Sequence, residues 1–452
     1  MKVNVAGAGA GKTTKMADLV TEHEIQEGKV VFCIAFTNAA AENIVEKVER
    51  KLGVVPDNIR ISTIHSFLYQ ELINPYYYFL YGKHFNKLSV IDLPSNNAYK
   101  RTKLSELEAN DILHYTKIPE KAKWVTYQKS GDTKAIKELR KKILSRFAAY
   151  CDCIYVDEAQ DIGEDVKLIL EALDHEGIKI ILYGDPKQDV RGLGYYRKII
   201  DATLDVKYIT DCYRCPQKHL DLSNTLASEP EQQTADSDNA EGRIEIVFES
   251  DIEDMQAFLN EGAFGLAYIS MKRDRFLTHE NQGTGKRFET LQHEVYRAMA
   301  DKWTGIKSDI EIKRAAFYVT EQMMEEFGNG SAVAGIISKW ITGGAFDSLS
   351  KQRYAQMAAV FQQEDHNSTN VPVVRSIEII KGLEAERCLF ILSPDLAPYL
   401  FREKTEDNKT SHLLYVALTR SLDNLTIMIM KEVEENYTRE KVLSYFRSVL
   451  QQ

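Results

Sequence analysis

A glycine-rich loop directly after a short apolar strand constrains the fold of this chain more than any other feature. The apolar run at residues 3–5 is followed by Ala-Gly-Ala-Gly-Ala-Gly-Lys-Thr at residues 6–13 and then by a helical pattern. Between a strand and a helix, the backbone N–H groups of such a loop and Lys12 cradle phosphates, and the hydroxyl of Thr13 holds Mg²⁺. Because a glycine-rich loop is often only a turn, a second signal is needed.

The second signal is an apolar strand that ends in two adjacent carboxylates. Residues 154–161 read Ile-Tyr-Val-Asp-Glu-Ala-Gln-Asp. Asp157 can hold the Mg²⁺ shell, and Glu158 can orient or deprotonate the attacking water. An Asp-Glu pair by itself is equally typical of a solvated strand end. The two signals together predict a site that hydrolyses a nucleoside triphosphate.

Strand and helix patterns alternate along the chain. Apolar runs at 30–36, 59–63, 154–157 and 178–183 are separated by helical patterns such as 39–52. Nearly continuous apolar strands separated by helices predict a parallel sheet with both faces covered, whose ligands bind beyond the carboxyl ends of the strands. The second half repeats this alternation with strand candidates at 243–248, 265–270, 371–375, 388–392 and 425–430. The polar residues 227–241 predict a linker or exposed loop.

The length of 452 residues exceeds one ordinary core. We predict a first α/β domain at 1–70 and 150–212 with a helical insert at 71–149. A second α/β domain at 213–276 and 370–452 carries a smaller helical insert at 277–369. The aromatic cluster at 74–82 fits either a base-stacking surface for single strands or the packing face of the insert.

Charge and cysteine content limit the class of protein. The net charge of −10 argues against a broadly basic nucleic-acid coat but allows a local basic groove. No apolar run approaches the roughly 18 residues of a membrane span, so a cytoplasmic protein is expected. The four cysteines Cys151, Cys153, Cys212 and Cys215 fit either a zinc site or reduced, structural thiols.

The order of these motifs resembles superfamily 1 DNA helicases of the UvrD/Rep type. The matching stretches are 6–13, 36–42, 62–67, 156–161, 183–188, 213–214, 376–384 and 415–420. The resemblance implies two RecA-like P-loop domains that hydrolyse ATP with Mg²⁺ between them. It also implies single-stranded DNA across their top, with 3′ to 5′ movement. A regulatory ATPase that senses DNA and controls a partner nuclease is the alternative.

The resemblance also implies roles for individual residues. The ATP-binding residues would be Gly7, Ala8, Gly9, Ala10, Gly11, Lys12, Thr13, Thr14, Tyr213 on the base and Glu384 on the ribose. The catalytic residues would be Lys12, Asp157, Glu158, the γ-phosphate sensor Gln188, and Arg214 and Arg420, which reach across the cleft. Thr13 and Asp157 would hold the metal. Either arginine outside its motif would suggest a surface ion pair.

The DNA contacts implied by the resemblance involve Phe36, Thr37, Asn38, Thr63, His65 and Ser376. Hydroxyl and amide groups of this kind fix register on phosphates without reading sequence. Phe36 and His65 fit a position in the core equally well.

The chain departs from the family at three places. Thr14 stands where a basic residue is expected, Tyr195 or Tyr196 has to replace a tryptophan, and Glu378 replaces a DNA-facing histidine. The compact length and residues 184–188 further resemble the helicase-like subunit of Gabija anti-phage defence systems, which implies a nuclease partner.

Overall fold

The computed structural model describes residues 1–94, 96–270, 275–278, 284–347, 349–361 and 373–450. The strands in chain order are β1 Lys2–Ala6, β2 Val30–Ala35, β3 Ile59–Thr63, β4 Lys87–Ser89, β5 Ile112–His114, β6 Cys151–Val156, β7 Lys179–Gly184, β8 Val206–Ile209, β9 Asp211–Cys212, β10 Thr234–Ala235, β11 Arg243–Phe248, β12 Leu266–Ile269, β13 Leu277–Thr278, β14 Val373–Ser376, β15 Ala385–Leu392 and β16 Ser421–Ile429.

Helices connect these strands. In chain order they are α1 Lys12–Glu22, α2 Asn38–Leu52, α3 Ile64–Phe67, α4 Asn74–Tyr81, α5 Asn97–Ala109, α6 Ile118–Thr126, α7 Lys134–Tyr150, α8 Glu164–His175, α9 Tyr195–Ala202, α10 Gln217–Asn224, α11 Met255–Glu261, α12 Thr284–Trp303, α13 Asp309–Gly328, α14 Val333–Thr342, α15 Lys351–Phe361, α16 Ala397–Leu400, α17 Lys409–Leu418, α18 Lys431–Tyr437 and α19 Arg439–Leu450. A π-helix at Leu68–Ile73 joins α3 to α4.

The first sheet has the strand order β3-β2-β6-β7-β1-β8. Its neighbouring strands pair in parallel. Every residue of β2, Val-Val-Phe-Cys-Ile-Ala, is buried, as expected where helices cover both faces of a parallel sheet. The parallel arrangement places the carboxyl ends of β1, β6 and β7 at the same edge.

The second sheet has the order β11-β16-β15-β12-β14-β13, and its neighbouring strands also pair in parallel. Its core is formed by β12, β15 and β16 together with α16 and α17, around buried residues such as Phe390, Leu414 and Ile427. The α/β class with two parallel sheets is therefore confirmed. Residues 371 and 372 of the predicted strand 371–375 lie outside the described residues.

The chain divides into two compact units. One contains residues 1–84, 118–280 and 371–452 and includes both large sheets. The other contains residues 85–117 and 281–370. The segment predicted as one insert, 71–149, is thus shared between the units, and only its middle part joins the second insert.

A buried ion pair links the two separate stretches of the smaller unit. Lys103 on α5 lies 2.6 Å from Glu294 on α12, and the two side chains are only 5% and 6% exposed. Arg297 and Glu106 form a further pair between the same helices. The apolar core of this unit comes from α12 to α15, with Leu291 and Met323 among its buried residues.

Among the described residues, we find no helix that combines the length and apolar character needed to cross a membrane.

Removing one partner of the Lys103–Glu294 pair is expected to destabilise the smaller unit. Glu294→Ala leaves a buried ammonium group unpaired, which costs about 3–5 kcal/mol. The double variant Lys103→Met with Glu294→Leu buries no charge and should recover most of this loss. The free energy of unfolding is measured in a urea titration, with the fluorescence of Trp303 and Trp340 as the readout. Both tryptophans lie in this unit.

The control is Lys339→Ala, which removes a 63% exposed lysine paired with Glu326 in the same unit. Because exposed pairs contribute little, its cost should stay below about 1 kcal/mol. A double variant as unstable as Glu294→Ala would contradict the interpretation.

Candidate active site

The glycine-rich loop joins β1 to α1 in the way that the sequence predicts. Gly9 and Gly11 have φ angles of 69° and 70°, a left-handed conformation that glycine adopts without strain. The methyl groups of Ala8 and Ala10 are buried. No side chain caps the amino end of α1, so its N–H groups are available to an anionic ligand.

Lys12 is folded back onto this loop. Its Nζ donates to the carbonyl oxygens of Ala6 at 3.2 Å and Gly7 at 3.1 Å. The side chain is almost completely buried. The ammonium group is therefore held beside the loop, where a phosphate can take over its hydrogen bonds.

Thr13 and Asp157 are in direct contact, as the metal-site prediction requires. The Thr13 hydroxyl donates to Asp157 Oδ2 at 2.6 Å. Burial and the neighbouring Glu158 raise the pKa of Asp157 to about 6. A buried carboxylate beside a second one carries excess negative charge, which a divalent cation relieves. The donors are hard oxygens of the kind that Mg²⁺ prefers, so these residues fit the metal.

Glu158 adopts a left-handed backbone conformation, with φ 54°, in the turn after β6. Its carboxylate accepts a hydrogen bond from Gln160 Nε2. Lys381, which follows β14, lies 3.7 Å from the same carboxylate and 2.7 Å from Asp161. Burial favours the neutral acid, but Lys12 and Lys381 outweigh it and lower the pKa of Glu158. The carboxylate is thus ionised at neutral pH, as a base for water must be.

Gln188 lies in the segment that follows β7. Since β7 lies between β1 and β6 in the sheet, this segment lies between the phosphate loop after β1 and Asp157 after β6. Its Nε2 donates to Asp185 Oδ2 at 3.0 Å. The Asp185 N–H in turn donates to Gln160 Oε1 at 3.0 Å. Gln160 therefore links the turn of Glu158 to that of Gln188, a role that the sequence analysis missed.

Tyr213 and Arg214 approach the phosphate loop from the segment after β9. The Tyr213 N–H donates to the Gly9 carbonyl at 2.9 Å, and its ring is 52% exposed beside Lys15. Arg214 forms a 2.5 Å ion pair with Glu384, the predicted ribose contact. The structure thus brings these three predicted residues together at the loop.

Two further residues contact the loop although neither was predicted as a site residue. The Ala8 N–H donates to the Tyr415 hydroxyl at 3.1 Å, and Gln233 Nε2 donates to the Ala8 carbonyl at 3.0 Å. Tyr415 also donates to Gln233 at 2.9 Å. A Cβ atom on Gly7 would lie 2.2 Å from the Gln233 side chain, so a larger residue there would displace the Gln233 carboxamide. The predicted linker at 227–241 therefore contributes a buried residue to the site, contrary to expectation.

Arg420 is completely buried and directed to its own domain. Its guanidinium donates to the carbonyl oxygens of Val416 at 3.0 Å and Leu383 at 3.4 Å, and to the Thr419 hydroxyl at 3.0 Å. No carboxylate in the described part of the chain pairs with it within 4.0 Å. Burial and the nearby Arg214 lower its pKa. The structure thus places it close to the other arginine but in no contact with the phosphate loop.

The structure bears on two of the departures from the family. Lys47 of α2 donates to the Thr14 hydroxyl at 2.8 Å, so a cation reaches the position where the sequence carries threonine. Tyr196 is buried and donates to the Asn4 carbonyl at 3.0 Å, so its ring has no free face for a base. Tyr195 is partly exposed.

Most of the predicted DNA-contacting residues lie at the carboxyl ends of β2 and β3 in the first sheet, and Ser376 lies at the end of β14 in the second sheet. Thr37 and Asn38 are exposed after β2, Phe36 is half-buried, and Ala35 pairs with Thr63 at the end of β3. Because neighbouring strands end together, these side chains share one edge of the first sheet.

Three of these polar side chains also have local structural contacts. Thr37 accepts a hydrogen bond from the Ala40 N–H at 3.1 Å and thereby caps α2. Thr63 accepts a hydrogen bond from the Ser66 N–H at 3.3 Å. Burial, and to a smaller extent the positive charge of Arg191, lowers the pKa of His65. Ser376, at the end of β14, accepts from the Glu378 N–H at 3.4 Å. Helix capping therefore explains the two threonines without any ligand.

Comparisons with known proteins give one family match and several structural matches. Residues 1–192 match a family model described as an AAA domain. No curated protein sequence matches the chain. Among solved structures, the crystal structure of Arterivirus nonstructural protein 10 (helicase) is 12% identical with a TM-score of 0.38, covering 100% of this chain and 62% of that one. Its complex with DNA is 11% identical with a TM-score of 0.38, covering 100% and 63%. The chain thus spans less than two thirds of those proteins.

Gly9→Ala is expected to impair nucleotide binding beyond its effect on stability. The new Cβ would lie 2.5 Å from Arg214 Cβ and 2.9 Å from Cys212 Sγ, in a left-handed conformation. Gly28→Ala is the matched control, because Gly28 has a φ of 76° and no described atom within 4 Å of the added Cβ. Gly28→Ala should cost about 1–2 kcal/mol in stability for its left-handed backbone, and Gly9→Ala should cost that amount plus the cost of relieving its close contacts. Only Gly9→Ala should weaken binding of a fluorescent ATP analogue, by about tenfold or more. Equal affinities in the two variants would contradict the assigned loop geometry.

Proposed function

We propose that this chain is an ATP hydrolase of the helicase type that moves on single-stranded DNA in the 3′ to 5′ direction. ATP binds at the phosphate loop and is hydrolysed between the two parallel sheets, which correspond to the two predicted RecA-like domains. Duplex unwinding follows from this movement.

The observation that carries the proposal is the contact of Thr13 with Asp157 at 2.6 Å beside the phosphate loop. Thr13 lies in the first turn of α1, which follows β1, and Asp157 follows β6, 144 positions later. A hydroxyl and a carboxylate in this relation to a phosphate-binding loop have the donor set of a magnesium–nucleotide site.

Mg²⁺, when bound by Thr13 and Asp157, would neutralise charge on the phosphate oxygens. The other steps belong to the chain itself. The loop amides and Lys12 bind the phosphates, and Lys12 exchanges the carbonyls of Ala6 and Gly7 for phosphate oxygens. Glu158, held by Gln160, orients the attacking water and accepts its proton.

Arg214 is the arginine best placed to stabilise the transition state. A Cβ atom on Gly9 would be 2.5 Å from Arg214 Cβ, so the arginine stands at the loop. If Arg214 exchanged its ion pair with Glu384 for a contact with the γ-phosphate, the N–H donors of its guanidinium group would face the charge that develops in the transition state. Arg420 has to release the carbonyls of Val416 and Leu383 before it can act in the same way. This requirement links hydrolysis to a rearrangement of the second sheet.

Support for DNA as the partner comes from the edge of the first sheet. Asn38 and Thr37 are exposed directly after β2, next to Thr63 at the end of β3. Neutral hydroxyl and amide groups suit contacts to phosphates that carry no sequence information.

The rate of ATP hydrolysis with and without single-stranded DNA tests the proposal, followed by strand displacement on a 3′-tailed duplex. Stimulation by DNA together with displacement is the expected result. Stimulation without displacement would instead favour the regulatory ATPase that controls a partner nuclease. A rate of hydrolysis that does not change when DNA is added would contradict the proposal that the protein acts on nucleic acid.

Glu158→Gln should abolish hydrolysis while ATP remains bound. The amide keeps the size of the side chain but cannot accept the proton of the attacking water. We expect at least a hundredfold loss of turnover with nearly unchanged affinity for a fluorescent ATP analogue. The control is Glu164→Gln, because Glu164 is exposed at the start of α8 after the same strand. Near-normal turnover in Glu158→Gln would overturn the site assignment.

Asn38→Ala should weaken the response to DNA without changing the basal rate of hydrolysis. Loss of one amide contact to a phosphate costs about 1 kcal/mol, which raises the half-maximal DNA concentration about fivefold. Asn58→Ala is the control, because Asn58 is exposed at the opposite edge of the same strand pair, before β3 begins. Equal DNA dependence in the two variants would exclude Asn38 from the DNA contact.

A further inference from the structure

Two cysteines enclose the pair of residues that approaches the phosphate loop. Cys212 ends β9, Tyr213 and Arg214 form the turn, and Cys215 follows. The Cys215 N–H donates to Cys212 Sγ at 3.3 Å, so the first sulfur lies directly against the backbone of the second cysteine. Only two residues separate the cysteines and the backbone bends at residues 213–215, so their Cα atoms can lie within the roughly 7 Å that a disulfide spans.

Each thiol has a second contact of its own. In its protonated form, the Cys212 thiol donates to the Ala8 carbonyl of the phosphate loop at 3.2 Å. The Cys215 Sγ lies 3.6 Å from the Thr419 carbonyl oxygen, next to Arg420. The pair therefore connects the loop on one side to the buried arginine on the other.

The two thiols differ in acidity from each other and from the other cysteines. The hydrogen bond from the Cys215 thiol, with backbone N–H groups of the turn, lowers the pKa of Cys212 to about 6, against the effect of burial. The same hydrogen bond, together with burial, raises the pKa of Cys215. Burial also raises the pKa of the remaining thiols, which belong to Cys33, Cys151, Cys153 and Cys388. An acidic thiol followed after two residues by its partner is typical of redox-active pairs.

We propose that Cys212 and Cys215 form a reversible disulfide that switches off nucleotide hydrolysis by holding Tyr213 and Arg214 away from their working positions. The regulatory part rests on the proposed function, whereas the formation of the disulfide does not. No metal-binding group of three or more His, Cys, Asp or Glu residues occurs in the described part of the chain. The sequence-level alternative of a four-cysteine zinc site therefore gains no support.

The oxidant is a hydroperoxide, of which hydrogen peroxide is the smallest. The Cys212 thiolate attacks one peroxide oxygen, the O–O bond breaks, and the leaving hydroxide takes up a proton to become water. The Cys215 sulfur then attacks the Cys212 sulfur of this sulfenic acid, forming the S–S bond and breaking the S–O bond, and the hydroxyl group leaves as a second water with the Cys215 thiol proton. Two thiols are oxidised by two electrons, and one peroxide is reduced. A dithiol reductant reverses the reaction by exchange.

The disulfide removes both thiol protons and with them two hydrogen bonds. Ala8 retains the hydrogen bond from Gln233 and the Tyr213 N–H still donates to Gly9, whereas the hydrogen bond from Cys212 to Ala8 is lost. Both sulfurs are buried, so a small oxidant is required, but the turn between them reaches the surface at Tyr213. The short S–S link restricts the turn that carries Arg214.

Treating the reduced full chain with hydrogen peroxide, followed by intact-mass and peptide mapping, tests the site. We expect a loss of two hydrogens that maps to the peptide of residues 212–215, and its reversal by dithiothreitol. ATP hydrolysis should fall by about tenfold or more on oxidation, in line with the large effects of arginine fingers, and recover on reduction.

Cys215→Ala should form no such link and should keep its own rate of hydrolysis under peroxide. Cys212→Ala serves as a second variant in case the first fails to fold. Cys388→Ala, which alters a buried cysteine in β15, should remain as sensitive as the unaltered chain.

The inference is overturned if peroxide leaves both thiols free, or if the mapped disulfide leaves hydrolysis unchanged. A reduced chain that shows no hydrolysis counts against the proposed function. In that case the mass measurement still decides whether the disulfide forms.

Discussion

The parallel pairing of β6, β7 and β1 is the constraint on which the site depends. Parallel strands end at a common edge, so the residues that follow them meet although they are far apart in the chain. In the order β2-β6-β7-β1, Asp185 and Gln188 after β7 lie between the phosphate loop and Asp157. The hydrogen bond of Thr13 to Asp157 and the bridge through Gln160 are consequences of this order.

The phosphate loop also depends on residues that come after the first sheet. Ala8 donates to Tyr415 and accepts from Gln233, while Tyr213 donates to Gly9. A Cβ at Gly7 would meet the Gln233 side chain, and one at Gly9 would meet Arg214 and Cys212. The glycines therefore serve two purposes, since they allow the turn of the loop and admit the second half of the chain. Changes in the second half can reach the loop through these contacts.

Much of the fold and part of the candidate site could be predicted from sequence. Nearly continuous apolar runs predicted β2, β6, β7 and β16 because strands covered on both faces need apolar residues at most positions. The strand candidates 59–63 and 243–248, which include charged residues, correspond to β3 and β11. The 39–52 pattern predicted α2, which runs from Asn38 to Leu52. The motifs around Thr13 and Asp157 could be predicted because each is a short stretch of characteristic residues directly after an apolar strand.

Other features depended on partners distant in sequence and were therefore missed. Gln233 belongs to a polar stretch that predicted an exposed loop, and nothing local indicates that Ala8 would bury it. The polar composition hid a residue whose carboxamide satisfies both Ala8 and Tyr415. The same reason explains the division of residues 71–149, since the partner of Lys103 is Glu294, 191 positions away.

The sequence by itself determined the α/β class, the phosphate loop and the acidic strand end, because strand periodicity and loop chemistry act over a few residues. Only the tertiary structure decided which side chains meet the loop. It placed Arg214, Gln233 and Tyr415 there, directed Arg420 to the carbonyls of Val416 and Leu383, and brought Cys212 and Cys215 between them. Contacts of this kind depend on how separate elements pack, and packing is not encoded in any single stretch of the chain.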